Sequence, residues 1–205
     1  TATKSFLWLF VALFSLAACG GKSSSGGGSY TAPQTVDRNV VIMNGDGSKA
    51  ATIEIKAGAI SLDVAGTKIV SEMKGDKRKY GTPSGEVLFE VKYNDGDKLK
   101  LRRPDGSLLW KVKIDSDKIK VSNNEENENA FKIKRYDDKI KTKAPDETEI
   151  GDVRLKGEQL EVASAGKGYT IQAKELSQGY GMLLIPDLGE RERFILVAEL
   201  LARNL

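Results

Sequence analysis

ERERFILVAELLARNL, residues 190–205, is the stretch that decides the fold. On a wheel of about 3.6 residues per turn, its polar side chains from Glu192 onward, apart from Arg193 and Asn204, collect on one narrow stripe: Glu192, Glu199 and Arg203. Phe194, Ile195, Val197, Ala198, Leu200, Leu201 and Ala202 fill most of the remaining circumference. A helix apolar over so much of its surface must be enclosed rather than laid on a surface. Pro186 and Gly189 punctuate its start, and Asp187 with Glu190 reads as a capping pair at the positive end of a helix over 190–204. Glu199 and Arg203 stand four apart in the favourable order. They are expected to pair with each other or to line the mouth of whatever surrounds the helix.

Upstream, almost everything reads as short strands in a repeated unit. Residues 98–122 (KLKLRRPDGSLLWKVKIDSDKIKVS) align without a gap on 139–163 (KIKTKAPDETEIGDVRLKGEQLEVA) at an offset of 41. An earlier copy, 39–63, aligns at an offset of 59, with Asp46-Gly47-Ser48 on Asp105-Gly106-Ser107. Each copy is strand, turn, strand, turn, strand, with Asp-Gly or Pro-Asp chemistry at the first turn. A fourth strand closes each unit: FEVKY at 89–93, FKIKR at 131–135 and YTIQA at 169–173. Alternation places Leu108, Trp110, Val112 and Ile114 on one face, with Lys111 and Lys113 on the other. The expectation is a mainly β protein, a closed antiparallel barrel of about twelve strands built from three four-strand repeats. The hydrophobic C-terminal helix fills it, and closure removes the sheet edges.

That combination resembles the tubby-like superfamily, with the phospholipid scramblases and LURP-type proteins, a twelve-stranded barrel around a hydrophobic C-terminal helix. The resemblance covers 37–205 and rests on strand count, turn pattern, ERFILVAELLARN, the K-I-K-x-K repeats and GMLLIP at 181–186. The phosphoinositide-binding basic residues of eukaryotic tubby and the acylated cysteine cluster of the scramblases have no matching motif here.

Residues 1–18 read as an export signal, with Lys4, an apolar run from Phe6 to Phe14 and small residues before a boundary. LAAC at 16–19 resembles the lipobox of bacterial lipoproteins. That resemblance implies cleavage between Ala18 and Cys19, a diacylglycerol on the Cys19 sulfur and an acylated, palmitate-type amino terminus. Several acyl chains anchor stably where one is marginal. The bland alternative is a secretory leader whose cysteine is incidental. Residues 19–36 continue as a Gly/Ser-rich flexible tether. Gly20 stands where an acidic residue retains some lipoproteins at the inner membrane, so the resemblance favours the periplasmic face of an outer membrane in a source that has one.

Composition narrows the chemistry. The 205 residues carry a formal charge of +3, too balanced for a dedicated nucleic-acid binder. There is no histidine, which removes His triads, His proton shuttles and nearly all catalytic zinc sites. One cysteine removes internal disulfides and thiolate clusters. The loop NNEENEN, 123–129, is oxygen-rich but lacks the spacing of a calcium loop and reads as a solvated hairpin tip. No catalytic constellation, metal or cofactor is expected.

Two basic features remain. Lys98, Lys100, Lys111, Lys113, Lys118, Lys120, Lys132, Lys134, Lys139, Lys141 and Lys143 all take outward strand positions, where solvation and edge protection account for them and interleaved acids dilute their field. The segment 66–85 interrupts the repeat, and as a projecting loop its Lys74, Lys77, Arg78, Lys79 and Tyr80 form the expected anionic-lipid contact. The leading reading is a lipid-anchored, non-enzymatic binding or scaffolding module of the cell envelope, partnered by membrane and by an envelope protein or anionic lipid. The alternatives are recognition of phospholipid or glycolipid by basic loops, and an enzyme or lipid transferase with a cleft at the barrel mouth.

Overall fold

A computed structural model describes residues 36–205, apart from 165 and 167. The expected cysteine, leader and tether lie outside the described residues, save Val36 at the tether's end. The first strands are β1 Arg38–Asn44, β2 Lys49–Lys56, β3 Ala59–Val64, β4 Thr67–Lys74, β5 Lys77–Gly81, β6 Val87–Asn94 and β7 Lys98–Arg102. They continue as β8 Leu108–Ile114, β9 Lys118–Ser122, β10 Phe131–Arg135, β11 Lys139–Lys143, β12 Glu149–Lys156, β13 Gln159–Ser164 and β14 Tyr169–Ile171. Every strand runs antiparallel to the next, and β14 returns to β1 with Ile171 opposite Ile42, so the sheet closes. A 3-10 turn, Gln178–Leu184, leads to α1, Glu190–Ala202. The protein is a mainly β closed antiparallel barrel with a C-terminal helix inside it.

The described strands number fourteen rather than twelve, and the repeat explains the difference. In each unit the first hairpin is the same object. Asp46, Asp105 and Asp146 accept the backbone N–H of Ser48, Ser107 and Thr148 at 2.8, 2.8 and 2.9 Å. Gly47, Gly106 and Glu147 sit at positive φ in the same place, 83°, 87° and 68°. Beyond each turn the register slips, leaving Ala50, Leu109 and Ile150 unopposed as β-bulges. These residues are 59 and 41 apart, the offsets of the sequence repeat.

The hairpin β5–β6 is a further copy of that object. Thr82 Oγ1 accepts the Glu86 N–H, Gly85 takes φ 96°, and a bulge leaves Leu88 unopposed. Residues 77–93 align with 98–114 at an offset of 21, setting Pro83 on Pro104, Gly85 on Gly106 and Val91 on Val112. Accordingly β4, not the strand around 89–93, closes the first unit. The segment 66–85 does not project, because β4 and β5 are strands of the wall.

The core is where the helix pattern puts it. Phe194 to Ala202 are buried, and Ile195, Leu196, Val197, Ala198, Leu200 and Leu201 are fully enclosed by Ile, Val and Leu side chains of the wall. Each such Leu or Ile stabilises the fold by roughly 1.5–3 kcal/mol relative to exposure. The GMLLIP run forms the end of the 3-10 turn and packs on α1 and on β10 to β13. Gly181 permits that approach, since a Cβ there would stand 2.4 Å from Ile133 Cγ2, and Thr142 Oγ1 donates to its carbonyl at 3.0 Å. At the helix start the cap is Gly189, not Asp187. Glu192, on the helix's first turn, reaches back to accept the Gly189 N–H at 3.3 Å and also accepts Trp110 Nε1–H at 2.7 Å, so the Asp187–Glu190 pairing is not used.

Candidate functional site

Strands β7 to β11 contain eleven lysines and no acidic residue. Alternation sends their apolar residues inward, and antiparallel register then stacks the lysines side by side. One row runs Lys98, Lys113, Lys120, Lys132 and Lys143, each directly opposite the next. A second runs Lys77, Lys92, Lys100 and Lys111 over β5 to β8, and a third Lys118, Lys134 and Lys141 over β9 to β11. With strands ~4.8 Å apart, the five-lysine row spans ~19 Å. Like charges directly opposite destabilise a sheet by on the order of 0.2–1 kcal/mol per pair relative to neutral partners. Solvation alone requires polar residues here, not residues all of one sign.

The carboxylates that temper this face come from turns. Asp115 is shared by Lys113 and Lys120 at 3.1 and 3.4 Å, and Asp117 by Lys118 and Lys134, both at 3.6 Å. Glu125 is shared by Lys100 and Arg102 at 2.6 and 2.7 Å, and Glu147 by Lys132 and Lys143. Each of these four acids serves two cations; Asp95 and Asp97 both meet Lys98 and Glu149 meets Lys141, and lysines and arginines still outnumber the acids across the wall. Hydrogen bonds from Lys113, Lys100 and Lys132 hold Asp115, Glu125 and Glu147 below the usual carboxylate range. A groove of about 360 Å³ runs between the rows, lined by six lysines, Asp117, Glu147 and Tyr136. Tyr136 is 40% exposed and takes Lys134 Nζ over its ring at 5.9 Å. The arrangement suits an extended, multiply charged anionic partner.

The residues expected to contact lipid divide by strand face. Lys74, Lys77 and Lys79 are on the outside of β4 and β5, where Lys77 and Lys79 share Glu90 at 3.4 and 3.3 Å. Arg78 and Tyr80 occupy the alternate positions and are 4% and 0% exposed, inside the barrel. They cannot meet a membrane. Tyr80 and Arg78 fall on Leu101 and Leu99 of β7 in the repeat, and that correspondence in the sequence is the signal for their burial.

What they meet is Glu199, 1% exposed on α1. Its carboxylate accepts from Tyr80 Oη at 2.7 Å and Tyr93 Oη at 2.8 Å, and lies 3.2 Å from Arg78 Nε. Arg78 also donates to Gly58 O at 2.7 Å and Ser71 Oγ at 3.2 Å. Burial pulls the Arg78 guanidinium down, but Glu199 and the two tyrosines together push it above its ordinary value. Burial, reinforced by Glu199, raises both Tyr80 and Tyr93. Glu199 thus pairs with the wall rather than with Arg203, which donates to Gly96 O at 2.8 Å and stacks over Tyr93 at 5.0 Å. Helical spacing could not show this, because the partner lies 121 residues away. With its hydrogen bonds occupied and no exposure, the cluster pins the helix in register. In the 123–129 loop, Asn124 brackets Glu128, and Glu125 turns back onto the lysine face. Among the described residues no helix is long and apolar enough to cross a membrane.

No family model matches the chain, and no curated protein matches it. Among solved structures, an Arabidopsis thaliana protein determined by X-ray crystallography is similar to this chain at 16% identity, over 73% of this chain and 89% of its own, with a TM-score of 0.37. A likeness that slight carries no argument about fold or function.

Proposed function

We propose that this chain is a lipid-anchored envelope protein whose tubby-like barrel is a non-enzymatic binding module, docking its lysine wall onto anionic phosphate head groups. The observation that carries the reading is the row of Lys98, Lys113, Lys120, Lys132 and Lys143 across five adjacent strands. A wall that sets like charges opposite one another gives up stability that an anionic partner restores. Near a charged leaflet each lysine adds on the order of 1 kcal/mol, weakened by salt. The acyl anchor implied at Cys19 and the Gly/Ser tether after it would hold the barrel where such a surface is always within reach. The favoured surface is the periplasmic leaflet of an outer membrane.

Sedimentation with phosphatidylcholine vesicles, with and without phosphatidylglycerol, tests the docking. Binding should require the anionic lipid, fall with added salt, and drop at least tenfold in the Lys120→Glu/Lys132→Glu/Lys134→Glu variant. Equal binding to both vesicles, or an unchanged triple variant, would remove the proposal. Membrane fractionation and intact mass of wild type beside Cys19→Ala test the anchor: wild type should carry added lipid mass, and the variant should be released.

A further inference from the structure

At one end of the barrel a second, different cavity opens, about 570 Å³ in volume, and Arg193 lines it. Its walls are Ile150 of β12, Leu183 and Leu184 of the 3-10 turn, Pro186, and Tyr169 of β14. Arg193 is only 8% exposed, yet among the described residues no carboxylate lies within ion-pair distance of it. Its Nη2 donates to Ile185 O at 3.1 Å and Leu188 O at 2.8 Å, and Nη1 reaches Tyr169 Oη at 3.4 Å, all neutral acceptors. Its Nε–H meets no acceptor.

Burying a cation without a counter-charge is among the costlier arrangements in a protein. Arg78 in the same barrel has its carboxylate, Glu199, at 3.2 Å. Arg193 also sits near the start of α1, where the helix dipole disfavours positive charge and favours an anion. Most of the remaining lining is apolar, broken by Thr148, Glu149 and Ser164, and the volume falls within the range of small-molecule pockets. A mostly apolar pocket with one desolvated, under-satisfied guanidinium takes a ligand with one anionic end and an apolar body. One free donor suits a monoanion. Glu149, held on Lys141 at 2.6 Å, also lines the cavity and opposes a dianionic phosphate.

We infer that this cavity binds the carboxylate of a long-chain monoacyl anion, a fatty acid, with the head group on Arg193 and the chain against Ile150, Leu183, Leu184 and Pro186. The site is on the barrel end, distinct from the lysine wall, and stands or falls independently of that docking surface. The lysines of the wall face outward on strands, whereas this guanidinium is enclosed and selects by depth as well as charge.

The test is calorimetric titration of the purified protein with laurate below its micelle concentration, beside dodecanol, which has the same chain and no charge. Laurate should bind at one site, at least tenfold more tightly than dodecanol. Arg193→Gln should erase that difference, and Ile150→Trp, which fills the cavity from a half-buried position, should block both ligands while leaving the melting temperature near wild type. Proton cross-peaks from laurate methylenes to the methyls of Leu183 and Leu184 place the chain in a folded wild-type sample. Laurate affinity unchanged in both variants, or cross-peaks only to the lysine wall, would overturn the inference. Vesicle binding by Ile150→Trp should stay intact, which separates this site from the docking face.

Discussion

Replacing Glu199 by leucine removes the charge that accounts for Arg78 inside the barrel and leaves a side chain of similar size. The guanidinium, 4% exposed, would keep its neutral acceptors Gly58 O and Ser71 Oγ but lose the carboxylate 3.2 Å away. Breaking a buried pair from one side costs about 3–5 kcal/mol, because the remaining charge stays desolvated. For a chain of this size about 1 kcal/mol corresponds to roughly 2–4 °C in melting temperature, so Glu199→Leu should melt some 6–20 °C lower. Adding Arg78→Met removes the stranded charge and should recover most of the loss, since apolar replacement of a whole buried pair is often neutral or stabilising. Urea unfolding followed by circular dichroism for wild type, both single variants and the double gives the coupling energy. A loss below about 1 kcal/mol in Glu199→Leu, or a double variant no more stable than that single, would refute the reasoning and leave the helix held by apolar packing alone.

Burial raises the pKa of Tyr80, Tyr93 and Tyr180, the last to about 12, against an unfolded value near 10. The unfolded chain therefore loses these protons first, and stability, level below about pH 10, should fall by about 1.4 kcal/mol per pH unit for each tyrosine above it. Thermal unfolding across that window measures the slope, and Tyr180→Phe should lower it by one tyrosine's share. Gly181→Ala should cost about 1–3 kcal/mol as its Cβ is driven toward Ile133, whereas Gly168→Ala, whose nearest atom would be Val162 O at 3.5 Å, should be close to neutral by urea titration. Lys120→Gln relieves the opposition to Lys113 and Lys132 but gives up the Asp115 contact at 3.4 Å, so the two effects should nearly cancel, changing stability by less than about 1 kcal/mol at low salt and less still in high salt.

The architecture was legible because two periodicities speak plainly in this chain: period two along the strands, and an apolar helix with one thin polar stripe. The repeat offsets of 41 and 59 carry through to equivalent bulges at Ala50, Leu109 and Ile150. The β5–β6 copy is harder to see because Thr82-Pro83-Ser84-Gly85 replaces the Asp-Gly turn and because Arg78 and Tyr80 occupy positions that are leucine in β7. Local pattern reading takes a basic, aromatic stretch as surface. Only the partner carboxylate on α1 makes burial of Arg78 tolerable, and that pairing is tertiary. The lysine positions were readable one strand at a time, but their opposition depends on register, which the bulges set and no single strand displays. Arg193 stood out on the wheel as a charge off the polar stripe, but its acceptors, Tyr169 Oη and the Ile185 and Leu188 carbonyls, follow only from the folded chain.

The element that fills the barrel follows all fourteen described strands. A polypeptide emerging from the ribosome therefore presents every wall strand, each with one apolar face, before the segment that covers those faces has been released. Pairing β1 with β14 also brings together the two most distant strands, a long-range closure of the slow kind. Until α1 arrives the sheet has open edges and an uncovered interior, the state in which β proteins aggregate. For this protein, maturation would depend on a holding factor for a curved, unfilled sheet, and the rate at which α1 docks would set how long that exposure lasts.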